Sequence, residues 1–322
     1  MIKKQRNSSV ELLRILSMLL IVLYHFNARQ HDLYVVTEFR PEEPNFIFEL
    51  LTHSLGKIGV PVFVFISGWY GIRFKKDRFI DIGLQCLFYA SISFIGMNLI
   101  GGHIALKNVI FFLNNWWFAA SYLCLYVLAP CIEKMFSSYG KKHMLFIVAL
   151  FYFLSYGDIV VQSAKIGGLY LMFAMYLSAR WIRMYASDIL AKYSMPILCI
   201  CLIFRVVVVL MAYKTNHLNL LGYINSYVCP ITTLLAASLF IVGIKYTFSS
   251  DIVNKLASSC FAVYLLSESG FGQVFFKPLF PEEFSFWRLC LGAVAVYLLA
   301  ICVDVIRKII TNLIFSCLKN KK

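Results

Sequence analysis

The stretch Val10–Phe26, VELLRILSMLLIVLYHF, decides the fold. It is apolar enough to enter a bilayer, yet it carries Glu11, Arg14 and His25. At roughly 100° of turn per residue, the eleven-residue step from Arg14 to His25 leaves a net rotation of only about 20°, so both side chains share one helical face. At roughly 1.5 Å rise per residue they stand about 16 Å apart along the axis. Glu11, three positions before Arg14, is placed to pair with the guanidinium and lower the cost of inserting it. Ionisable groups inside a span usually face the bundle interior and line a path or a site. The competing reading is anchoring at the two interfaces, with Glu11 and Arg14 at one end and His25 at the other.

Composition fixes the class. Hydrophobic residues make up 61% of the 322-residue chain, charged residues 14%, and the mean hydropathy is +0.77. Those values lie far outside the soluble globular range and imply an all-α, polytopic membrane bundle. Runs long enough to cross about 30 Å of hydrocarbon fall near 10–28, 46–70, 79–101, 115–133, 143–161, 166–185, 194–213, 224–245, 255–275 and 286–307, which makes about ten spans. The gaps are short and no Gly/Ser-rich or Pro-rich linker divides the chain, so residues 1–322 read as one domain.

The net charge of +14 does not point to nucleic acid, because the basic residues sit in the gaps between apolar runs. Twenty Lys and Arg fall in one set of alternate gaps, from Lys3, Lys4 and Arg6 through the 71–78, 134–142 and 180–192 stretches to the C-terminal tail. The other set holds six: Arg29, Arg40, Lys107, Lys165, Lys214 and Lys277. The asymmetry places both termini in the cytoplasm, with Arg14 inward and His25 outward. Lys3, Lys4 and Arg6 before an apolar run resemble a secretory signal, but the run holds charges and no small-residue cleavage site follows it, so a retained first span fits better. Most of the ten cysteines lie inside apolar runs without metal-ligand spacing and read as packing residues, with no metal site expected.

Several stretches invite chemistry, each beside a plainer reading. The loop from Ala28 to Asn45 holds Asp32, Glu38, Glu42 and Glu43 and is either a cap over the outer mouth or a solvated connection. Lys57 lies in mid-span within HSLGKIGVPVFVFISGWYGI, whose glycines suit close helix packing. GIRFKKDRF follows, with Arg73, Lys75, Lys76 and Arg78. It serves either as an anchor on the bilayer surface or as a cluster that holds phosphates by charge-assisted hydrogen bonds. Trp116 and Trp117 suit an aromatic belt, and equally a stacking platform for sugar faces.

Three segments in order resemble the membrane acyltransferase-3 family of acyl-CoA-dependent acyltransferases. They are the Arg14-to-His25 pattern, GKIGVPVFVFISGWY (Gly56–Tyr70) followed by basic residues, and WWFAASYLCLYVLAP (Trp116–Pro130). Asn225-Ser226 and FAVYLL (Phe261–Leu266) are weaker echoes. The resemblance implies transfer of an acyl group, most often acetyl, from cytoplasmic acyl-CoA to a hydroxyl of a surface or lipid-linked glycan in the bacterial inner membrane. No cofactor would be bound permanently, and the bilayer, donor and acceptor would be the partners, with a homo-oligomer left open. It assigns His25 as general base. Arg14 and Glu11 would form an inner station for the donor, and Lys57, Arg73, Lys75, Lys76 and Arg78 would hold the donor's phosphates or stabilise developing charge. Trp116, Trp117 and Tyr122 would contact the acceptor. One departure stands out: where similar members carry His before the acidic residue, this chain reads Ser267-Glu268, which makes Glu268 the candidate partner for His25. A transporter or flippase of an envelope precursor is the alternative, since Arg14, Lys57, Arg205, Glu268, Arg288 and Asp304 would also mark a substrate path.

Overall fold

The computed structural model describes residues 7–33, 40, 42, 43, 45–161 and 167–319. Lys3, Lys4, Arg6, Glu38 and Lys165, and Lys321 and Lys322 of the basic C-terminal tail, lie outside these residues. Among them every regular element is helical: α1 (Ser8–Gln30), α2 (Phe46–Gly56), α3 (Gly59–Tyr70), α4 (Lys76–Leu99), α5 (Lys107–Ile110), α6 (Trp117–Ser138), α7 (Lys141–Val161), α8 (Gly167–Tyr185), α9 (Ser187–Thr215), α10 (Asn219–Ile224), α11 (Pro230–Lys245), α12 (Asp251–Ala257), α13 (Cys260–Ser267), α14 (Gly270–Phe275) and α15 (Phe286–Lys319).

Among the described residues six segments are long and apolar enough to cross a membrane: α1, the α2–α3 pair, α4, α6, α9 and α15. Helices α7 and α8 coincide with two more of the expected runs, and α11 with a shorter apolar one. The run at 255–275 is not one helix, as its hydropathy suggests, but parts of α12, α13 and α14. Its hydropathy cannot register its two breaks, the second of which is made by a serine hydroxyl. Ser269 is extended (φ −73°, ψ 153°), and its Oγ accepts from Gly272 N at 2.9 Å, starting α14 anew. Gly272 is obligatory there, because a Cβ would lie 1.8 Å from Leu266 O. Glu268 is thereby left at the C-cap of α13.

α1 is the pivot. Asn7 caps its start, its side chain accepting from Ser9 N at 3.0 Å, and Glu11 in the first turn complements the helix dipole. The helix packs against α2, α3, α11, α12, α13 and α15. Close approach to α3 depends on Gly59, where a Cβ would meet Ser17 O at 2.5 Å. The small-residue packing read in this stretch is therefore what the structure contains. The core around α1 includes Met18, Ile21, Val22 and Phe26, with Phe26 stacked on Phe280 at 4.0 Å between centroids. Four cysteines (Cys86, Cys201, Cys229, Cys260) are buried, and Cys124, Cys131, Cys199 and Cys302 face outward. Among the described residues no group of three or more His, Cys, Asp or Glu could hold a metal ion.

Candidate active site

α1 carries polar chemistry at both ends. At the Arg14 end, Arg14 Nη1 lies 2.9 and 3.0 Å from the two Glu11 oxygens, the pair expected from their spacing. Both residues line a cavity of about 1130 Å³, large for a small-molecule site. Its wall also includes Ser67, Arg78, Asp81, Tyr122, Tyr126, Arg307 and Lys308. The charges are cross-braced: Arg78 Nη1 to Asp81 Oδ2 at 2.6 Å, Arg307 Nε to Asp304 Oδ1 at 2.7 Å, and Lys308 Nζ to Asp304 Oδ2 at 2.8 Å. Asp304, itself buried, also accepts from Ser259 Oγ at 2.7 Å. Ser259, at the break between α12 and α13, thus fixes the floor on which the α15 cations stand.

Of the basic loop, only Arg78 faces this cavity. Arg73, Lys75 and Lys76 are exposed and form no part of its lining. The loop backbone is held from behind, with Ile72 N donating to Tyr176 Oη at 3.0 Å and Lys75 N to Tyr126 Oη at 3.2 Å. Arg307 and Lys308 supply the remaining positive charge. Sequence reading counted them only as orientation signals, although their i,i+3 and i,i+4 spacing from Asp304 was a usable sign of a fixed cluster.

At the other end, His25 Nδ1 lies 3.4 Å from Glu268 Oε2. The two residues come from α1 and the C-cap of α13, 243 positions apart in sequence, and both are largely withdrawn from solvent. The same Oε2 accepts from Arg29 Nη2, one turn beyond His25. Arg29 was missed as a site residue, although its i,i+4 relation to His25 placed it on the same face. Glu268 Oε1 and Arg29 Nη1 are buried without a hydrogen-bond partner. Gln273 Nε2 donates to the Glu268 carbonyl at 3.2 Å and steadies the break.

Lys57, at the α2–α3 junction, is not in the cavity. Its Nζ sits between two rings, 4.6 Å from the Tyr24 centroid and 4.5 Å from that of Tyr227. Tyr24 also packs against His53, at 4.7 Å, and Tyr227 against Trp117, at 6.4 Å. The three aromatic acceptor candidates separate. Trp116 is buried in the core, so it offers no face at an interface. Trp117 is 41% exposed. Tyr122 is five residues further on, about 7.5 Å along the helix, and belongs to the Arg14 cavity.

An aromatic layer divides the two ends. Phe63, Phe118, Tyr122 and Phe261 bound the cavity, whereas His25 and Glu268 do not. Phe118 lies 6.0 Å from Phe63 and 5.5 Å from Tyr264, the residue one turn before Glu268.

An all-helical membrane protein with a braced basic cavity at one end of a central helix and a buried His–carboxylate–Arg group at the other has the parts of a membrane-embedded group-transfer enzyme. The chain matches the acyltransferase-3 family, whose domain is described as an acyltransferase domain, over residues 7–305. It belongs to that family, as the three sequence segments indicated. No curated protein and no solved structure matches it.

Proposed function

We propose that this acyltransferase is an O-acyltransferase, most simply an O-acetyltransferase, that moves an acyl group from cytoplasmic acyl-CoA to a hydroxyl of a cell-surface or lipid-linked glycan. The reading places ten spans in the bacterial inner membrane with both termini cytoplasmic, so that the Arg14 cavity opens to the cytoplasm and His25 lies toward the outer leaflet. The observation that carries it is the His25–Glu268 contact at the far end of the helix whose near end lines the basic cavity.

In this reading the nucleotide part of the donor stays in the cavity. Arg14, Arg78, Arg307 and Lys308 face its phosphates, while Arg73, Lys75 and Lys76 add only long-range attraction. The pantetheine arm extends past Phe63 and Phe118 along α1, over the roughly 16 Å that separate Arg14 from His25. Glu268 holds the Nδ1 proton and leaves the Nε2 lone pair to act as base, a role suited to imidazole near neutral pH. Nε2 takes the acceptor's hydroxyl proton as its oxygen attacks the thioester carbonyl. The carbon–sulfur bond then breaks and CoA leaves as thiolate, which recovers the proton from the imidazolium. In this reading Lys57 stabilises charge on the carbonyl oxygen, and Trp117 stacks on a sugar face. The unpartnered Glu268 Oε1 supports an additional contact to an acceptor hydroxyl.

A transporter of an envelope precursor draws on the broken helices at Lys57 and Glu268, a feature of substrate sites in secondary transporters. Proteoliposomes given radiolabelled acetyl-CoA and a cell-envelope glycan extract separate the two. Labelled glycan is expected from the wild type and none from folded His25→Ala. Undiminished transfer by that variant removes His25 as base, and no transfer to any acceptor returns the transporter reading.

A further inference from the structure

The carboxylate beside His25 has a second partner on the same helix. Arg29 follows His25 by four residues, and Glu268 enters between them from the α13 break, its Oε2 shared by Arg29 Nη2 and facing His25 Nδ1. Other titratable groups at this end are His53 and Lys57 of α2, both packed against Tyr24, Arg205 of α9, which bonds Ser54 beside His53, and Tyr264 of α13, one turn before Glu268. Glu268 is thus the anion that ties His25 into a neighbourhood otherwise basic. An anion so placed does two opposed things. It orients the imidazole by holding Nδ1–H, and it favours a second proton on Nε2, which would remove the base.

We propose that Arg29 is a positioning residue that fixes Glu268 against His25 Nδ1 and offsets the pull of the carboxylate on the imidazole. His25 then stays neutral, Nδ1-protonated and basic at Nε2. The guanidinium suits this because its rigid fork can hold one carboxylate oxygen in place, which a flexible ammonium does less well. The proposal rests on the reading of His25 as general base, but it can be tested apart from it.

The test uses the full chain in lipid nanodiscs, labelled with 15N-histidine, with the His25 signals assigned by their loss in His25→Ala. Wild-type protein is expected to show the Nδ1-protonated tautomer at neutral pH. In Arg29→Gln the His25 titration midpoint should rise by about one pH unit or more, and in Glu268→Gln it should fall by a similar amount. The double variant should lie between them. Arg29→Lys keeps the cation, so its midpoint should stay near wild type while kcat falls several-fold at unchanged donor KM. It is also the variant to read should Arg29→Gln fail to accumulate. The acidic limb of the pH–rate profile should follow the spectroscopic midpoints. Unmoved midpoints, movement in the same direction for Arg29→Gln and Glu268→Gln, or full turnover in Arg29→Lys would overturn the role of Arg29. Midpoints that move as expected in a protein that transfers no acyl group would uphold it and instead remove the acyltransferase reading of the site.

Discussion

Replacing Lys308 with glutamine removes one positive charge from the cavity wall without orphaning its partners. Asp304 keeps Arg307 Nε and Ser259 Oγ, each at 2.7 Å. Lys308 is 37% exposed and already engages Asp304, Ser258 and Ser259, so its share in holding a phosphate lies at the low end of the range for a charge-assisted hydrogen bond, about 1.5 kcal/mol. That is roughly a tenfold rise in the Kd of CoA. Lys76 is exposed and forms no part of the cavity lining, so solvent and salt weaken its pull on a phosphate held there. Lys76→Gln is therefore expected to change Kd less than about twofold. Calorimetric titration of CoA into detergent-purified protein measures both, and pantetheine, which lacks the phosphates, should bind wild type and Lys308→Gln alike. Equal losses for the two variants, or none for Lys308→Gln, would refute the assignment of the phosphates to the braced cavity and return them to the exposed loop.

Trp117→Ala should raise acceptor KM several-fold with CoA affinity unchanged, whereas Trp116→Ala should cost about 3–5 kcal/mol of stability through the cavity it leaves, seen as lost thermal stability before any kinetic change. Gly59→Val forces a branched side chain against the Ser17 carbonyl and should prevent accumulation of folded protein, read by fluorescence-detected size exclusion. His31, just past the end of α1, is buried and close to Arg40, and burial first and then that charge hold its pKa below the usual 6.5. The folded chain thus resists a proton that the unfolded chain accepts. The associated stability is complete above about pH 6.5 and is lost as pH falls below it. Thermal unfolding at pH 7.5 and 5.5 should show a smaller drop in His31→Gln than in wild type.

The parts legible in the sequence are those governed by one helix at a time. Helical spacing put Arg14 and His25 on one face and paired Glu11 with Arg14, and hydropathy located the helical runs because burial in lipid needs little else. The contact between His25 and Glu268 depends on how α13 packs against α1, and only the resemblance to a family pattern suggested it. Charge density along the sequence does not tell which cations line the cavity. GIRFKKDRF is the richest basic loop, yet three of its four cations point to solvent, while Arg307 and Lys308 reach the cavity because Asp304 and Ser259 hold them there. The breaks in α12–α14 were hidden because serine is mildly polar and shifts a hydropathy average little, although at Ser269 its hydroxyl is enough to restart a helix.

Those breaks bear on how the six intramembrane charges should be grouped. A helix interrupted inside a bilayer exposes backbone groups that must be satisfied by protein. At the end of α10 this is what Arg205 does. It is fully buried, its Nη2 donates to the Ile224 carbonyl at 2.8 Å, and its Nε and Nη1 reach Ser54 at 2.9 Å and Thr232 at 3.3 Å. Ser54 in turn donates to Asn225 Oδ1 at 2.6 Å, which ties the network to α2. Arg205 is thus occupied in closing a break rather than lining a route. Asp304 is enclosed by Arg307, Lys308 and Ser259, and Arg288 faces outward beside Pro278 and Leu279. The remaining three fall into two groups separated by the aromatic layer: Arg14 in the cavity, and Lys57 and Glu268 near His25. A conduit for a polar cargo would want charges spaced along one continuous passage. Two stations set apart by aromatic side chains instead suit a donor whose charged head and reactive end must be held apart, which is the stronger structural argument for acyl transfer over transport.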